Sequence, residues 1–481
     1  MARRTKIVAS IGPASDDAAV LAAMVEAGTD MARISAAHGP LEESLARIRR
    51  VREVALQEGK FVGVLADLPG PKVRAAEFPE AGVVLGSGAL LDIVAADGAA
   101  TSEEGRMSVD PPVLAALQEG DTLALGDGAI QLLVREVHAD RATAEVLTGG
   151  QVSGRPGIGL PPGRLKISAP TPRDLEMAKV FVEAEVDAIA ISFVQSAADI
   201  ELARRVIGSG PMLVAKIETQ EAVDSLEDII AIADGVMVAR GDLGIRCHLE
   251  DVPHYQKQII RSGVAYGRPV ITATQMLESM IRAPAPTRAE VSDVANAVFD
   301  GTSALMLSGE SAIGHDPVNA VRTMSRIAAR AEKEFDNLRW GRELGRLQTL
   351  EIHGQKAPVP VRMTAAISAA AWRAASDAEA TAIIACTNSG ATARAISRFR
   401  PVAPVLAATP SVRTARQLSV GWGITPLLVD WQGTTDDIVW FAVKAAVEQG
   451  YVQTGDLVAV LVGSPTEPNP VTDTLRLVRV Q

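Results

Sequence analysis

The sequence predicts an α/β protein: a (β/α)8 TIM barrel that carries an inserted small β-barrel lid domain and is followed by a C-terminal α/β domain. Three observations lead there. Short runs rich in Val, Ile and Ala recur eight times with helical patterns between them, and they are apolar on both faces, as parallel strands covered on both sides must be. The alternation breaks once, between about Gly70 and Ala169, into short segments with turn punctuation. It resumes in the last quarter, after a charged stretch and a proline-containing linker.

The eight barrel strands are expected at Lys6–Ile11, Met31–Ala36, Phe61–Leu68, Asp187–Phe193, Met212–Glu218, Gly235–Ala239, Pro269–Thr274 and Ala304–Ser308. The interruption reads as an all-β domain, with strands such as Ala129–Val137 and Ala142–Leu147 flanking His-Ala-Asp-Arg. Charged residues dominate Arg330–Arg346, and the linker falls around Lys356–Pro360. A helical pattern from Met363 to Ala375 then opens the third domain, with strands near Thr381–Cys386, Pro404–Ala407 and Leu457–Val462. The expected division is barrel over 1–69 and 170–345, lid over 70–169, and C-terminal domain over 346–481.

Composition narrows the function classes. A chain of 481 residues is too long for one ordinary core, and 47% hydrophobic with only 3% aromatic residues leaves the interior to aliphatic side chains. A net charge of −11 argues against nucleic acid as a partner, so an anionic substrate needs a local cluster of positive charge. No apolar run is long enough to span a bilayer, and the opening residues lead into a strand rather than a signal peptide. Cys247 and Cys386, the only cysteines, are far apart in sequence and read as reduced thiols of a cytoplasmic protein. There is no Walker A pattern. The six histidines lack metal-ligand spacing, so His248 and His254 read as surface or packing residues. Gly157-Ile-Gly159-Leu-Pro-Pro-Gly163 lacks the strand-before, helix-after context of a dinucleotide fingerprint.

The chemistry-bearing residues fall at strand ends. In Ala-Lys-Ile-Glu, Lys216 and Glu218 are two apart on a strand and project to the same side, at the end where barrels place catalytic groups. A cation beside a carboxylate suits phosphoryl chemistry, the lysine steadying the transferring group and the carboxylate holding Mg²⁺; it also suits a plain strand-end salt bridge. Asp242, between Gly241 and Gly244 in Arg-Gly-Asp-Leu-Gly, could complete that metal site, although such a sequence is also a common turn. Thr274, Ser308 and Glu310 add hydroxyl and carboxylate groups to the same rim, and Arg33, Asp67, Lys72 and Arg74 come from earlier strands. Thr287-Arg-Ala-Glu290 reads as a capping box. In the third domain, Cys386-Thr387-Asn388-Ser389-Gly390-Ala391-Thr392 joins a strand to a helix start, a turn that can cradle a phosphate or be an ordinary connection.

Taken together the motifs resemble those of pyruvate kinase, in order and along nearly the whole chain. They are Lys-Ile-Val-Ala-Ser-Ile-Gly-Pro (6–13), Ala-Lys-Ile-Glu (215–218), Met-Val-Ala-Arg-Gly-Asp-Leu-Gly (237–244), Thr-Ala-Thr-Gln-Met-Leu-Glu-Ser-Met (272–280), Pro-Thr-Arg-Ala-Glu-Val-Ser-Asp-Val-Ala-Asn-Ala-Val (286–298) and Met-Leu-Ser-Gly-Glu (306–310). The resemblance implies phosphoryl transfer from phosphoenolpyruvate to ADP in glycolysis, with Mg²⁺ (or Mn²⁺) as cofactor, a phosphorylated effector and a homotetramer. It implies that Lys216 stabilises the transferring phosphoryl group, that Glu218 and Asp242 bind the metal, and that Gly241, Asp242 and Thr274 hold the substrate. Arg33 and Arg74 would grip phosphates, His38 would sit at the nucleotide, and Thr274 and Ser308 would relay the proton to the enolate carbon. The effector would take the loop of Thr387, Asn388, Ser389, Gly390 and Thr392.

The departures are equally specific. The family usually reads Arg-Leu-Asn-Phe-Ser-His-Gly where this chain has Arg33-Ile-Ser-Ala-Ala-His-Gly39, and Asp-Asp-Gly where it has Gly126-Asp127-Gly128. The lid lysine expected near residue 156 is Pro156, beside Arg155. Potassium-requiring members hold the ion with an Asn and a Ser near the second strand, an Asp and a Thr after the third, and a later Glu. Here those positions are Ser35, Ala37, Asp67, Leu68 and Lys72. A potassium site stripped of two side-chain oxygens cannot replace the ion's hydration. Lys72 offers a fixed positive charge instead, with Asp67 as its expected partner, so K⁺ is not expected to be required; the potassium-independent branch of the family likewise shows Leu and Lys there. Two other readings are a Mg²⁺-dependent pyruvate-enolate lyase on the same barrel and a weakly active metabolite sensor, the latter drawing on Ser35, Ala37, Gly126 and Pro156.

Overall fold

The computed structural model describes the chain except for residues 1–2, 38, 97–99, 127, 129, 162, 165–167, 347–350, 353–354, 357, 432 and 464–470. Eight parallel strands close into a barrel: β1 (Lys6–Ser10), β2 (Met31–Ser35), β3 (Gly63–Asp67), β4 (Ala188–Ile191), β5 (Met212–Ile217), β6 (Gly235–Ala239), β7 (Val270–Ala273) and β8 (Ala304–Leu307). Each lies inside its expected run. Alternate residues turn inward: Val8, Met31, Leu65, Ala190, Val214, Met237, Ile271 and Met306 fill the barrel, while Ile7, Ala32, Val64, Ile189, Leu213 and Val236 face the helices. Both sets are buried, which is why the strands read as continuous apolar runs.

The segment between β3 and β4 forms a six-stranded sheet and a separate two-stranded ribbon, Phe78–Leu85 with Gly150–Gly154. The segment has a core of its own, built on Phe78, Leu91, Ile93, Met107, Leu123, Leu132 and Val146. It is not wholly β, however. Pro111–Ala116 is a short helix, started by two prolines whose missing N–H groups cost nothing in a first turn.

The third unit is a five-stranded sheet over β9 (Ala382–Cys386), β10 (Val405–Thr409), β11 (Ile424–Leu428), β12 (Leu457–Gly463) and β13 (Thr472–Arg479), ordered β11-β10-β9-β12-β13. Two of these strands went unread. β11 carries Pro426, which an edge strand tolerates, and β13 is an antiparallel edge strand interleaved with charged residues. The opening helix runs Val359–Asp377, so it begins inside the expected linker, with Pro360 in its first turn. Asn337–Arg346 within the charged stretch is also helical.

This domain closes the N-terminal mouth of the barrel. Val420, from the short helix Leu418–Val420, belongs to the same cluster as the barrel's inward side chains. The approach is tight enough that a Cβ on Gly63, at the start of β3, would lie 2.6 Å from Ser419 Oγ and 2.8 Å from the Arg416 carbonyl oxygen. Beneath β4, buried Asp187 takes Arg52 at 2.7 Å and Arg416 at 3.0 Å, tying the two units together.

Candidate active site

At the opposite, C-terminal mouth the strand ends bring opposite charges together. Lys216, the second-last residue of β5, lies 2.9 Å from Glu218 Oε1 and 3.3 Å from Asp67 Oδ1 at the end of β3, and donates to Ser192 Oγ after β4 at 2.7 Å. Arg33, in β2, grips Asp67 with two nitrogens (2.7 and 2.6 Å) and donates to Ser10 Oγ at 2.9 Å. Glu218 Oε2 accepts the Phe193 N–H at 2.7 Å. Phe193 sits at φ +57°, a conformation rare for a bulky side chain and imposed at the turn out of β4.

The electrostatics follow from burial and pairing. Burial alone would lower the Lys216 ammonium, but Asp67 and Glu218 beside it more than offset this and hold it above its ordinary value. Burial pushes Asp67 up, yet Lys216 and Arg33 outweigh it and leave the carboxyl below its ordinary value. Glu218 goes the other way: burial, with Asp242 nearby, raises it despite Lys216. Lys216 therefore stays charged across the physiological range.

Asp242 lies in the helix Arg240–Arg246, directly after β6. Its Oδ1 accepts Lys72 Nζ at 2.7 Å, which corrects the expected partnership of Lys72 with Asp67. The reason is saturation: Asp67 is already claimed by Arg33 and Lys216, whereas Asp242 is within reach of the connecting segment that carries Lys72. Among the described residues no cluster of three or more His, Cys, Asp or Glu could by itself enclose a metal. Glu218 and Asp242 nevertheless fit a hard divalent ion that keeps water and substrate oxygens in its shell. Glu218 Oε1 is fully buried and, although 2.9 Å from Lys216 Nζ, has no aligned hydrogen bond among the described residues, so a ligating atom is held ready.

Gly241 N–H donates to Thr274 Oγ1 at 2.8 Å, and that hydroxyl donates to the Ala273 carbonyl at 2.6 Å. Thr274 and Gln275 both have positive φ, +68° and +53°, strained for a β-branched and a long side chain. Arg240 holds this loop in place, donating to the Thr274 carbonyl and Asp293, each at 2.7 Å, and to Gln256 at 3.2 Å. Ser308, after β8, donates its N–H to Glu310 Oε2 at 2.7 Å, and Glu310 Oε1 accepts the Leu277 N–H at 3.0 Å. Thr287 and Glu290 form the expected capping box, and Glu290 also accepts the Ser279 N–H and hydroxyl.

Arg74 sits at the base of the lid, where its Nη1 donates to the Arg155 carbonyl at 3.0 Å rather than reaching the rim. His38 lies outside the described residues. The lid itself rests on the helix after β6, where a Cβ on Gly159 would fall 2.2 Å from Ile245 Cγ2. Beside that contact a cleft of about 660 Å³ opens between lid and barrel, lined by Gly128, Gln131, Gln220, Arg246 and His248 among others. Sequence reasoning missed Ser192, Phe193, Arg240 and this cleft. Arg240 adjoins Gly241 in a quoted motif and could have been singled out as the longest donor in it; Ser192 has no signal beyond its place at a strand end.

In the third domain the loop of Thr387, Asn388, Ser389 and Thr392 lines a cavity of about 140 Å³ with Trp431 and Thr472. Gly390 caps the next helix at φ +79° and donates its N–H to Thr387 Oγ1 at 2.9 Å.

Comparison with known proteins agrees along the chain. The family model described as the pyruvate kinase barrel domain matches residues 2–321, and that of the pyruvate kinase alpha/beta domain matches residues 365–478. A pyruvate kinase of Clostridium acetobutylicum is 37% identical over 99% of both chains. One of Agrobacterium vitis is 40% identical over 99% of this chain and 98% of the relative, and one of Methylorubrum extorquens is 39% identical over 96% and 94%.

Proposed function

The chain belongs to the pyruvate kinase family, and from that premise we propose how its rim divides the work of moving a phosphoryl group from phosphoenolpyruvate to ADP, giving pyruvate and ATP in glycolysis. The observation that carries the proposal is the clamped Lys216, a permanently charged ammonium fixed by Asp67, Glu218 and Ser192 at the end of β5. A cation that need not reorganise as charge develops is what transition-state stabilisation of a transferring phosphoryl group asks for.

Glu218 and Asp242 are the residues to hold the divalent ion, Mg²⁺ or Mn²⁺, which when bound neutralises substrate charge. Lys72 must then share or release Asp242. The substrate carboxylate competes with Thr274 Oγ1 for the Gly241 N–H, and the displaced hydroxyl becomes available, with Ser308, to pass a proton to the enolate carbon. Arg33 retains two unused N–H groups for the phosphate, since Asp67 and Ser10 take three of its five. Arg74 and His38 serve the nucleotide side when the lid moves. The domain division is 1–69 and 170–345, 70–169, and 346–481. We also assign the Thr387–Thr392 loop to a phosphorylated effector, and the working form to a cytoplasmic homotetramer. Among the described residues no helix is long and apolar enough to cross a membrane.

The lyase and sensor readings gain no support from the comparisons. Lys72 supports potassium independence, because its ammonium already neutralises part of the metal-binding carboxylate pair. The test is turnover of phosphoenolpyruvate and ADP with Mg²⁺ in a tetramethylammonium buffer, coupled to pyruvate detection. Full activity without K⁺ is expected; a rate that rises tenfold or more on adding K⁺ overturns this reading.

A further inference from the structure

Beneath β7 and β8, on the face away from the rim, four arginines converge where the C-terminal domain meets the barrel floor. Arg268 precedes β7, and Arg394, Arg398 and Arg400 come from the helix and turn after β9. They line one small void with Ser303, Ser397 and Trp422. Arg400 is 2% exposed and Arg398 8%. Some of their N–H groups are met by backbone carbonyls: Arg398 Nη1 by Ala265 at 2.9 Å, Arg400 Nη2 by Thr302 at 2.7 Å, Arg268 Nη2 by Ala231 at 2.9 Å. The Arg400 guanidinium also lies over the rings of Phe335, Trp340 and Trp422, and that of Arg398 over Phe399. Arg394 Nη1, Arg398 Nε, Arg398 Nη2 and Trp422 Nε1 are all buried and have no hydrogen-bond partner among the described residues.

No carboxylate completes the set. Among the described residues none of the four arginines forms an ion pair; Asp234, the acid near Arg268 and Arg394, is taken by Arg204 and the Leu213 N–H, and Glu332 near Arg400 accepts the Arg4 and Thr5 N–H groups. Burial lowers Arg394, Arg398 and Arg400 from their ordinary value, yet guanidinium groups do not shed their protons in proteins. Charge held at this depth without an ion-pair partner costs several kcal/mol per ion, which the aromatic faces offset only in part. A cavity whose walls carry unmet donors and, among the described residues, no carboxylate suits an anion.

We propose that this pocket is an anion site, taking a chloride ion or one oxygen of a phosphate-type oxyanion, and that the anion fastens the C-terminal domain to the barrel. Size sets the limit: the void measures about 20 Å³, room for one water-sized atom. An oxyanion can place one oxygen there while its body lies in the open mouth. The site also connects two regions already described. Arg394 Nη2 donates to the Ser389 carbonyl of the effector loop at 3.2 Å, and Arg268 stands at the foot of the strand whose far end carries Thr274.

The test is thermal unfolding of the full-length protein at constant ionic strength, with gluconate replaced stepwise by chloride, by bromide or by inorganic phosphate. A saturable rise in Tm with chloride and bromide assigns a halide, and a rise with phosphate at lower concentration assigns an oxyanion. Arg398→Met should abolish the response and raise Tm in gluconate, since it removes a buried charge that has no ion-pair partner among the described residues. Should that variant fail to fold, ³⁵Cl relaxation of the wild-type protein, competed by phosphate, reads the same site directly. Identical Tm curves in all four salts overturn the proposal, and absence of ³⁵Cl broadening above the gluconate-treated control overturns its halide form.

Discussion

The two ends of the barrel bury positive charge in different company. At the C-terminal rim, Arg33, Lys216 and Lys72 alternate with Asp67, Glu218 and Asp242, and each cation has a carboxylate oxygen within 3 Å. Under β7 and β8, four arginines meet backbone carbonyls and, for Arg398 and Arg400, aromatic rings, but among the described residues they have no ion-pair partner and several donors lack a hydrogen bond. At the rim, charge is balanced by the chain itself, so the site exists before substrate arrives. Under the floor the balance must come from solution. Preorganisation suits a catalytic site, where reorganisation would slow chemistry; an incomplete set of partners suits a site that reports on its surroundings.

The sharpest way to break the comparison is Lys216→Met. Removing the central cation should reduce kcat by at least 10²–10³-fold, as loss of a preorganised electrostatic partner does, while substrate affinity measured by equilibrium titration changes much less. Near-normal turnover would show that the balanced rim is not the working part. Next comes Lys72→Glu, which places a third carboxylate beside Asp242. Turnover should fall by at least about tenfold, the scale of roughly 1.4 kcal/mol, and added K⁺ should restore little, because Ser35 and Ala37 supply no oxygen ring; recovery with K⁺ would contradict this.

Asp67→Asn tests the same balance through stability. Asp67 is held below its ordinary value, so it contributes stability that is fully present above about pH 4 and lost as pH falls through its folded pKa. Breaking a buried pair costs about 3 kcal/mol, or about 6–12 °C in Tm for a unit of roughly 150–250 residues such as the barrel. The gap between wild type and Asp67→Asn should therefore be widest near pH 7 and shrink below pH 4. A gap independent of pH would mean that Asn loses packing rather than charge. The smallest effect is expected from Ser389→Glu, which should abolish activation by whichever sugar phosphate or AMP shifts the phosphoenolpyruvate saturation curve while leaving basal turnover unchanged. Activation that survives the substitution removes the loop as a switch.

The barrel was legible because burial on both faces writes itself into uninterrupted apolar runs, and every strand from Lys6–Ser10 to Ala304–Leu307 fell inside its run. Lys216 and Glu218 were legible because two-residue spacing on a strand fixes a shared side. The partner of Lys72 was not, since Asp67 and Asp242 are equivalent in sequence and only the prior claim of Arg33 and Lys216 decides between them. Strands β11 and β13 escaped because edge strands accept proline and charge. The arginines under the floor escaped for another reason: Arg268 lies over a hundred positions from Arg394, and nothing local reveals that domain docking brings them together.

Val420, seated in the barrel's lower mouth, has a consequence for how the chain is made. It follows the last barrel strand by more than a hundred residues. At roughly 5–20 residues per second of synthesis, the nascent barrel waits on the order of ten seconds with its floor unstoppered. During that interval the side chains around Met31 and Leu65 face water, and a ribosome pausing before position 420 would prolong a species ready to be captured by chaperones or to aggregate.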